Sequence, residues 1–359
     1  MHQRRSAESE AGEAVSLAEK VAFLSKGEVY PHAAGDVTCR ETHMSWVFLA
    51  GDRVYKLKKP VRFPYLDFST LAHRETACRS ELHLNRRLAR DVYLEVVPLV
   101  RTPQGLAVGG RGDVVDWLVV MRRLDESRML EHLLIHGLLT VPQLESVIEA
   151  LTDFYRKAAP VLIGPDVFLA EWERSLAYNR RVLLDPKLGL SAGLIRDIDM
   201  VQRRFLALRG DAIAARVRRR RIVDGHGDLR PEHIWIGDSV QIIDCIEFNR
   251  RLRMVDPFDE VAFLSLECER LGAAWAGAHL ARRMQFFLQD GPSAELFIFY
   301  RCHRAALRAR LAIAHLLEPN PRTPEKWPRL ARAYLKIAAE DARRLRPFLS
   351  AYRTTCLRR

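Results

Sequence analysis

The sequence lacks the patterns that mark membrane, secreted and zinc-ribbon proteins. Its 359 residues contain no uninterrupted apolar run long enough for a membrane helix, and residues 1–20 lack the apolar segment of a signal peptide. Six cysteines are scattered without a C-x-x-C pair, which argues against a zinc ribbon or a disulfide scaffold and predicts reduced thiols. We therefore expect a cytoplasmic protein that does not contact a membrane.

Glycine-rich phosphate loops and internal repeats are also missing. Neither G-x-G-x-x-G nor G-x-x-x-x-G-K-[ST] occurs, which excludes a standard P-loop. No repeat, low-complexity segment or long linker interrupts the chain. Because 48% of the residues are hydrophobic, the chain can bury a large core, and its length predicts two domains or one two-lobed domain.

Positive charge is in excess, with a net charge of +12 and a dense run of arginine at residues 216–221. Such a run can attract nucleic acid, an anionic nucleotide or nothing specific. Aromatic residues are not interleaved with it, so bases would have no stacking platform there. We interpret the run as the solvated end of a helix, and we do not expect nucleic acid as a partner.

The first third of the sequence has the patterns of strands and one helix. Residues 45–49 and 53–57 are β-rich runs on either side of Ala-Gly-Asp, which predicts a hairpin. A helix is predicted over residues 69–90, with Ser69 or Thr70 as its cap. Residues 93–101 and 113–124 are predicted as further strands.

The rest of the sequence is mainly helical in pattern. Thr140 with Gln143 three residues later is a capping box, and further helices are predicted within residues 191–220, 256–272, 293–317 and 324–345. The one predicted β interruption is a hairpin around Gly237-Asp238-Ser239. The predicted layout is a flexible arm (1–18), a small strand-rich N-lobe (19–120), a hinge (121–124) and a helical C-lobe (125–359).

The stretch VDGHGDLRPEHIWIGDSVQIIDCIEF, residues 223–248, carries the chemistry. Folding back at the hairpin places His233, before the first strand, beside Asp244, after the second. Asp228 lies shortly upstream on the loop HGDLRP. Two carboxylates and a histidine therefore converge on one point, an arrangement that suits a divalent cation and a proton acceptor.

This stretch resembles the His-Gly-Asp-Leu-x-x-x-Asn and Ile-Asp signature of the aminoglycoside phosphotransferase family, which shares the protein-kinase-like fold. The resemblance covers roughly residues 20–320 and implies an α+β, two-lobed fold with a β-rich N-lobe and a larger, mainly helical C-lobe. It implies that Asp228 is the catalytic base and that Asp244 binds magnesium. His226 would brace the loop, and Arg230 would face the transferred phosphate.

His233 departs from the family pattern, which usually has asparagine as the second metal ligand. Imidazole is a softer donor than an amide oxygen and suits Mn²⁺ or Zn²⁺ better than Mg²⁺. His233 therefore either ligates a metal or only hydrogen-bonds a phosphate or water. The departure affects the second metal site and not the first.

The resemblance also implies a strand lysine for the nucleotide phosphates and a helix carboxylate that pairs with it. Lys56 and Lys58 alternate onto one face of their strand, and Lys56 is preferred because it lies mid-strand; the alternative is that both are solvated. Glu75 and Glu81 are the candidate carboxylates. Glu81 is preferred because it lies deeper in the predicted helix.

Two further nucleotide contacts follow from the same resemblance. The tip that covers the phosphates would be ETHMS, with Thr42, His43 and Ser45 as donors, and the hinge at Met121 would offer backbone groups to adenine. Downstream, Asp259 either ties its helix to the catalytic loop or is an acid favoured at a helix N-terminus.

The implied function is ATP-dependent phosphorylation of a hydroxyl on a small molecule, with ATP and Mg²⁺, or Mn²⁺, as cofactors. The alternatives are a protein Ser/Thr kinase, although no Ala-Pro-Glu follows Asp244, and an inactive kinase-fold scaffold that contacts nucleic acid. The acceptor is not predicted. Four acidic residues either line an acceptor pocket or, as we favour, pair with arginines: Glu247, Asp256, Glu267 and Glu269.

Overall fold

A computed structural model describes residues 15–356, apart from residues 33–34, 319–320 and 322, with side chains through residue 350. The chain divides after Leu124 into two compact units, residues 1–124 and 125–359. Most of the predicted arm, residues 1–14, lies outside the described residues, and the first helix already begins at Leu17. None of the described helices is both long and apolar enough to cross a bilayer.

The N-terminal unit combines two α-helices with antiparallel strands. The helices are α1 (Leu17–Leu24) and α2 (Leu71–Asn85), and the strands are β1 (Val37–Glu41), β2 (Ser45–Ala50), β3 (Arg53–Lys58), β4 (Arg62–Phe63), β5 (Leu66–Asp67), β6 (Tyr93–Thr102), β7 (Gly105–Val108) and β8 (Asp113–Arg122). Six strands form one sheet in the order β1-β2-β3-β8-β6-β7, and β4 pairs with β5.

The predicted hairpin is confirmed as β2 and β3, which pair from Ser45–Lys58 to Ala50–Arg53. Gly51 turns the chain with φ +59°, a conformation that glycine adopts without steric cost. Alternation along β3 places Tyr55 and Leu57 in the hydrophobic core and the two lysines on the opposite face. The sheet therefore presents an apolar face to its core and a charged face to α2.

Helix α2 is capped by one of the two predicted residues, and it begins later and ends earlier than predicted. Thr70 caps it by accepting a hydrogen bond from His73 N at 3.1 Å. The helix ends at Asn85 instead of residue 90, because tighter turns follow: Arg87 N donates to Leu84 O at 3.3 Å, and Leu88 N donates to Asn85 O at 3.0 Å. Asn85 Nδ2 also donates to Glu81 O at 2.9 Å and adds a side-chain hydrogen bond near the end of the helix.

A buried carboxylate joins both helices of this unit to the sheet. Asp116, on β8, is 1% exposed. Lys20 Nζ of α1 contacts its Oδ2 at 2.8 Å, and Arg74 Nε of α2 contacts its Oδ1 at 2.7 Å. Because each carboxylate oxygen has a cationic partner, the charge is tolerated inside the unit.

The C-terminal unit is mainly helical. Its helices are α3 (Leu130–Ile135), α4 (Val141–Lys157), α5 (Pro165–Leu183), α6 (Ala192–Arg218), α7 (Arg250–Arg253), α8 (Pro257–Arg270), α9 (Ala274–Leu288), α10 (Ala294–Ala314) and α11 (Lys326–Cys356). Its strands are β9 (Val223–Asp224), β10 (Ile234–Ile236), β11 (Val240–Ile242) and β12 (Met254–Val255).

The predicted capping box of α4 is confirmed, since Thr140 and Gln143 cap each other's backbone. The predicted hairpin is β10 paired with β11. The prediction of a single β interruption is wrong, because β9 pairs with β12. Each of these strands has only two residues, which is too short for the alternation of polar and apolar residues that predicts a strand.

The arginine run at residues 216–221 is only partly solvated, so the interpretation of the whole run as a solvated helix end is wrong. Arg216 is buried, and its Nε and Nη2 contact Asp256 Oδ2 and Oδ1 at 2.6 and 2.9 Å. Its Nη1 contacts Asp290 Oδ1 at 2.7 Å. Arg216 lies on the inward face of α6 with Ile213 and Val217, whereas residues 218–221 are exposed.

Candidate active site

The HGDLRP loop has glycines where the backbone approaches its neighbours closely. Gly227 has φ +89°, in the left-handed region that favours glycine. A Cβ on Gly225 would lie 2.6 Å from Glu260 Oε2, so only glycine fits between the strand and that carboxylate. The glycines allow the loop to lie directly over the N-terminal turn of α8.

Glu260 ties the loop to α8. Its two carboxylate oxygens each accept a hydrogen bond from His226 N at 3.1 Å, and Oε1 also accepts one from Gly227 N. Tyr155 donates its hydroxyl to Oε2 at 2.7 Å. Burial and this carboxylate raise the pKa of Tyr155 well above its usual value, so the phenol remains a donor.

Of the two alternatives for Asp259, a tie to the catalytic loop or an acid in the first turn of its helix, the structure supports the second. The carboxylate of Asp259 pairs with Arg304, with Nε–Oδ1 at 2.8 Å and Nη2–Oδ2 at 2.6 Å. Successive helix residues point about 100° apart, so only one of two adjacent acids can face the loop. Glu260 is that residue.

His226 braces the loop from inside. Its ring is fully buried, and Nε2 lies 2.9 Å from Ile243 O, so Nε2 carries the proton and donates it. Nδ1 accepts a hydrogen bond from Asp228 N at 3.2 Å. Burial lowers the pKa of His226, which keeps the imidazole neutral in this arrangement.

Asp228 and Arg230 form an ion pair. Arg230 Nε lies 3.0 Å from Asp228 Oδ2, and its Nη1 contacts Glu232. Burial alone would raise the pKa of Asp228, but the positive charge of Arg230 outweighs burial and lowers the pKa below its usual value. Asp228 is therefore an ionised carboxylate near neutral pH.

His233 connects Asp228 to Asp244. Its Nδ1 lies 2.8 Å from Asp228 O, so Nδ1 carries the proton and donates it. The lone pair of Nε2 then accepts a hydrogen bond from Arg230 Nη2 at 3.2 Å, and Asp244 Oδ2 lies 3.6 Å from the same nitrogen. An imidazole nitrogen and a carboxylate oxygen that face each other in this way form a donor set for a cation.

Asp244 follows strand β11 and is the most accessible member of this group. Its side chain is 47% exposed, and its φ of +62° is in the left-handed region, which aspartate tolerates better than most residues. A hard cation prefers such a carboxylate. The residues thus fit a divalent cation at Asp244, whereas His233 fits as a second ligand only after Arg230 releases Nε2.

In the N-terminal unit, Glu81 meets both candidate lysines. Lys56 Nζ lies 2.8 Å from Oε1 and Lys58 Nζ lies 2.6 Å from Oε2. Glu81 is 0% exposed, whereas Glu75 pairs with Arg79 near the surface. The structure therefore brings together Lys56, Lys58 and Glu81 and leaves Glu75 apart.

The other predicted nucleotide contacts lie at strand ends. Ser45 begins β2, and Thr42 Oγ1 accepts a hydrogen bond from Ser45 N at 3.0 Å and donates to Ser45 O at 2.9 Å. The turn itself thus uses the backbone N–H of Ser45. Met121 lies within β8, paired with Val54, so the predicted hinge at residues 121–124 begins inside a strand.

The predicted acceptor acids mostly pair with arginines, as favoured from the sequence. Asp256 pairs with Arg216, Glu267 with Arg270 and Glu269 with Arg301. An acidic acceptor pocket built from these residues is therefore not supported. The five cysteines whose side chains are described are free thiols, as expected.

Sequence reasoning missed Glu260, Tyr155 and Glu232. Glu260 follows Asp259 in DPFDEV, and the sequence gives no signal for the rotation of the helix. Tyr155 lies on another helix, so no local pattern links it to the loop. Glu232, within the same motif, would have been found by asking which carboxylate balances Arg230.

Comparison with proteins of known structure identifies the architecture. A choline kinase from Cryptosporidium parvum aligns with a TM-score of 0.50 at 9% identity, covering 91% of this chain and 96% of that one. The chain has the protein-kinase-like fold. Neighbours with lower TM-scores of 0.47 are a choline/ethanolamine kinase family protein from Mesorhizobium loti (15% identity; 90% and 99% covered) and a thermostable mutant of an aminoglycoside phosphotransferase (12% identity; 86% and 94% covered).

Sequence comparison gives relatives without an assigned activity. Uncharacterised proteins of Mycobacterium tuberculosis and Mycobacterium bovis are 32% identical over 293 residues, which is 79% of this chain and 56% of each relative. The chain thus spans little more than half the length of the relatives it matches. No family model matches the chain.

Proposed function

We propose that this protein is an ATP-dependent phosphotransferase that acts on a hydroxyl of a small molecule. The observation that carries the proposal is the grouping of Asp228 and Asp244 around the imidazole of His233, whose Nδ1 donates to Asp228 O at 2.8 Å and whose Nε2 lies 3.6 Å from Asp244 Oδ2. A kinase-like fold alone hosts several functions, so the proposal depends on this site and not on the fold.

In the proposed reaction Asp228 accepts the proton of the acceptor hydroxyl, a contribution typically worth about 10²- to 10⁴-fold in rate. Because its pKa is lowered, Asp228 is ionised near neutral pH, and a carboxylate oxygen is available to accept the proton. Arg230, whose guanidinium pairs with Asp228 and Glu232, would offset negative charge on the transferred phosphoryl group. His226 and Glu260 act through the loop backbone, so they position Asp228 and do not touch the substrate.

Asp244 would hold Mg²⁺, and His233 would supply a second ligand. When bound, Mg²⁺ offsets the charge of the β- and γ-phosphate oxygens. In the N-terminal unit, Lys56 would bind nucleotide phosphate, and Glu81 would orient the lysine. Ser45 and Met121 remain candidate nucleotide contacts on the resemblance alone, and a cytoplasmic location remains a prediction.

The test is ADP release by the full chain against a panel of metabolite alcohols, aminoglycosides and Ser/Thr peptides, with Mg²⁺, with Mn²⁺ and with a chelator. We expect metal-dependent turnover of one class of small alcohol. Turnover confined to peptides would favour the protein-kinase alternative. Absence of metal-dependent ATP binding and turnover would refute the proposal and favour a scaffold.

A further inference from the structure

Two lysines share the buried carboxylate of Glu81, where the proposed nucleotide site calls for one. Lys58 Nζ contacts Oε2 at 2.6 Å and Lys56 Nζ contacts Oε1 at 2.8 Å. Both reach Glu81 because residues two apart in β3 point to the same face of the sheet. Each oxygen of the carboxylate thus contacts a lysine.

The two lysines differ in their surroundings. The Lys58 side chain is 1% exposed, and its ammonium lies 4.8 Å from the centre of the Phe68 ring, within range of a cation–π contact. The Lys56 side chain is 16% exposed. Lys58 is therefore enclosed beside Glu81, whereas Lys56 lies where a ligand can reach it.

We propose that the two lysines have separate roles: Lys58 holds Glu81 in place, and Lys56 binds the phosphates of the nucleotide. A site with a single lysine would need that lysine for both roles. The assignment of phosphate to Lys56 rests on the proposed function. Lys58 is a positioning residue, because it acts through Glu81 and does not touch the nucleotide.

The physical reason is the cost of an unpaired buried charge. If Lys56 turned toward a phosphate in a one-lysine site, a fully buried carboxylate would lose its cation, which is strongly unfavourable. Lys58 keeps Glu81 paired in both situations. Lys56 can therefore move between carboxylate and phosphate at little cost, and the helix that carries Glu81 stays in register with β3.

Glu81 is itself fixed on α2. Its backbone carbonyl accepts a hydrogen bond from Asn85 Nδ2 at 2.9 Å, and Cys78, one helical turn earlier, is fully buried with its thiol 3.8 Å from Trp117 O on β8. The carboxylate is thus presented by a rigid element. The mobile member of the group is a lysine and not the acid.

The test compares Lys56→Met, Lys58→Met, Lys58→Arg and the double variant in the full chain. Lys26→Met is the matched control, since it removes one positive charge from an exposed position of the same unit. Two quantities are measured for each: the thermal midpoint without ligand, and the dissociation constant for ATP with Mg²⁺ by calorimetry.

We expect Lys58→Met to lower the thermal midpoint by about 5 °C or more, because Glu81 loses its enclosed partner. The affinity for ATP should fall only a few-fold, because Lys56 then pairs with Glu81 for part of the time. Lys56→Met should leave the thermal midpoint within about 2 °C of wild type and should lower the affinity for ATP by about 10- to 100-fold. Lys58→Arg should have a thermal midpoint and an affinity for ATP close to those of wild type, and Lys26→Met should change neither quantity.

The double variant separates positioning from stability alone. In Lys58→Met, Lys56 already pairs with Glu81 for part of the time. Removing Lys56 from that variant should therefore lower the affinity for ATP by a smaller factor than removing it from the wild type. Equal factors in the two backgrounds, or a larger ATP defect in Lys58→Met than in Lys56→Met, would overturn this separation of roles. Wild-type protein that binds no ATP would instead refute the proposed function and the role of Lys56, while the midpoints would still decide which lysine holds Glu81.

Discussion

Replacing Glu260 with glutamine is expected to loosen the loop that carries Asp228. Glu260 is fully buried and accepts hydrogen bonds from two loop N–H groups and from Tyr155. Glutamine can keep one oxygen toward the loop and turn its amide toward the tyrosine hydroxyl, which then accepts. The substitution therefore preserves shape and removes the charge.

The magnitude follows from the two backbone hydrogen bonds. A hydrogen bond to a charged group contributes about 1.5–3 kcal/mol, and a neutral one contributes about 0.5–1.5 kcal/mol. Glu260→Gln should therefore cost about 2 kcal/mol in the free energy of loop opening. Since each ~1.4 kcal/mol is a factor of ten, the amides of His226 and Gly227 should exchange about 30-fold faster.

Hydrogen exchange of the two loop amides, read by mass spectrometry or NMR, is the assay, and Tyr155→Phe is the control. That control removes only the hydroxyl bond to Oε2 and leaves both loop bonds in place, so it should accelerate the loop amides much less. Unchanged exchange at Gly227 in Glu260→Gln would refute the role of Glu260 as the anchor of the loop.

Three further predictions concern other sites. Burial lowers the pKa of His303 to about 3, so the unfolded chain takes up the proton first as the pH falls below about 6.5, and the free energy of unfolding drops by up to ~1.4 kcal/mol per pH unit. Urea unfolding at pH 7, 6 and 5 should show that the free energy of unfolding depends less on pH in His303→Gln than in wild type. Asp116→Asn should destabilise the protein by about 3 kcal/mol in urea, because two buried cations lose their partner, whereas Asp113→Asn on the exposed end of the same strand should cost about 0.5 kcal/mol or less. Asp244→Ala should abolish the magnesium dependence of ATP affinity in calorimetry, and wild-type dependence would contradict the metal assignment.

Local chemistry made much of the fold predictable. The capping box at Thr140 and the hairpin around Gly51 each depend on a few neighbouring residues, so their signals are complete in the sequence. Helices α5 and α9 were not predicted, since their exposed faces carry large apolar residues such as Tyr178 and Phe286, which blur the helical period.

The candidate site was predictable where its residues share one motif. Asp228, His233 and Asp244 are joined by a loop and a short hairpin, so chain connectivity alone brings them together. Glu260 and the burial of Arg216 depend on how distant helices are rotated against each other. Such rotations are decided by packing across the unit, which no short pattern records.

Comparing Asp228→Asn with wild type tests the central claim most directly. An amide cannot take the hydroxyl proton, yet it leaves the phosphate-binding residues intact, so we expect ADP release with the identified acceptor to fall by at least about 10²-fold while calorimetry shows nearly unchanged affinity for ATP with Mg²⁺. Asp238→Asn, the same change at the exposed hairpin turn, should keep wild-type turnover. Wild-type turnover in Asp228→Asn would contradict the assignment of Asp228 as the catalytic base.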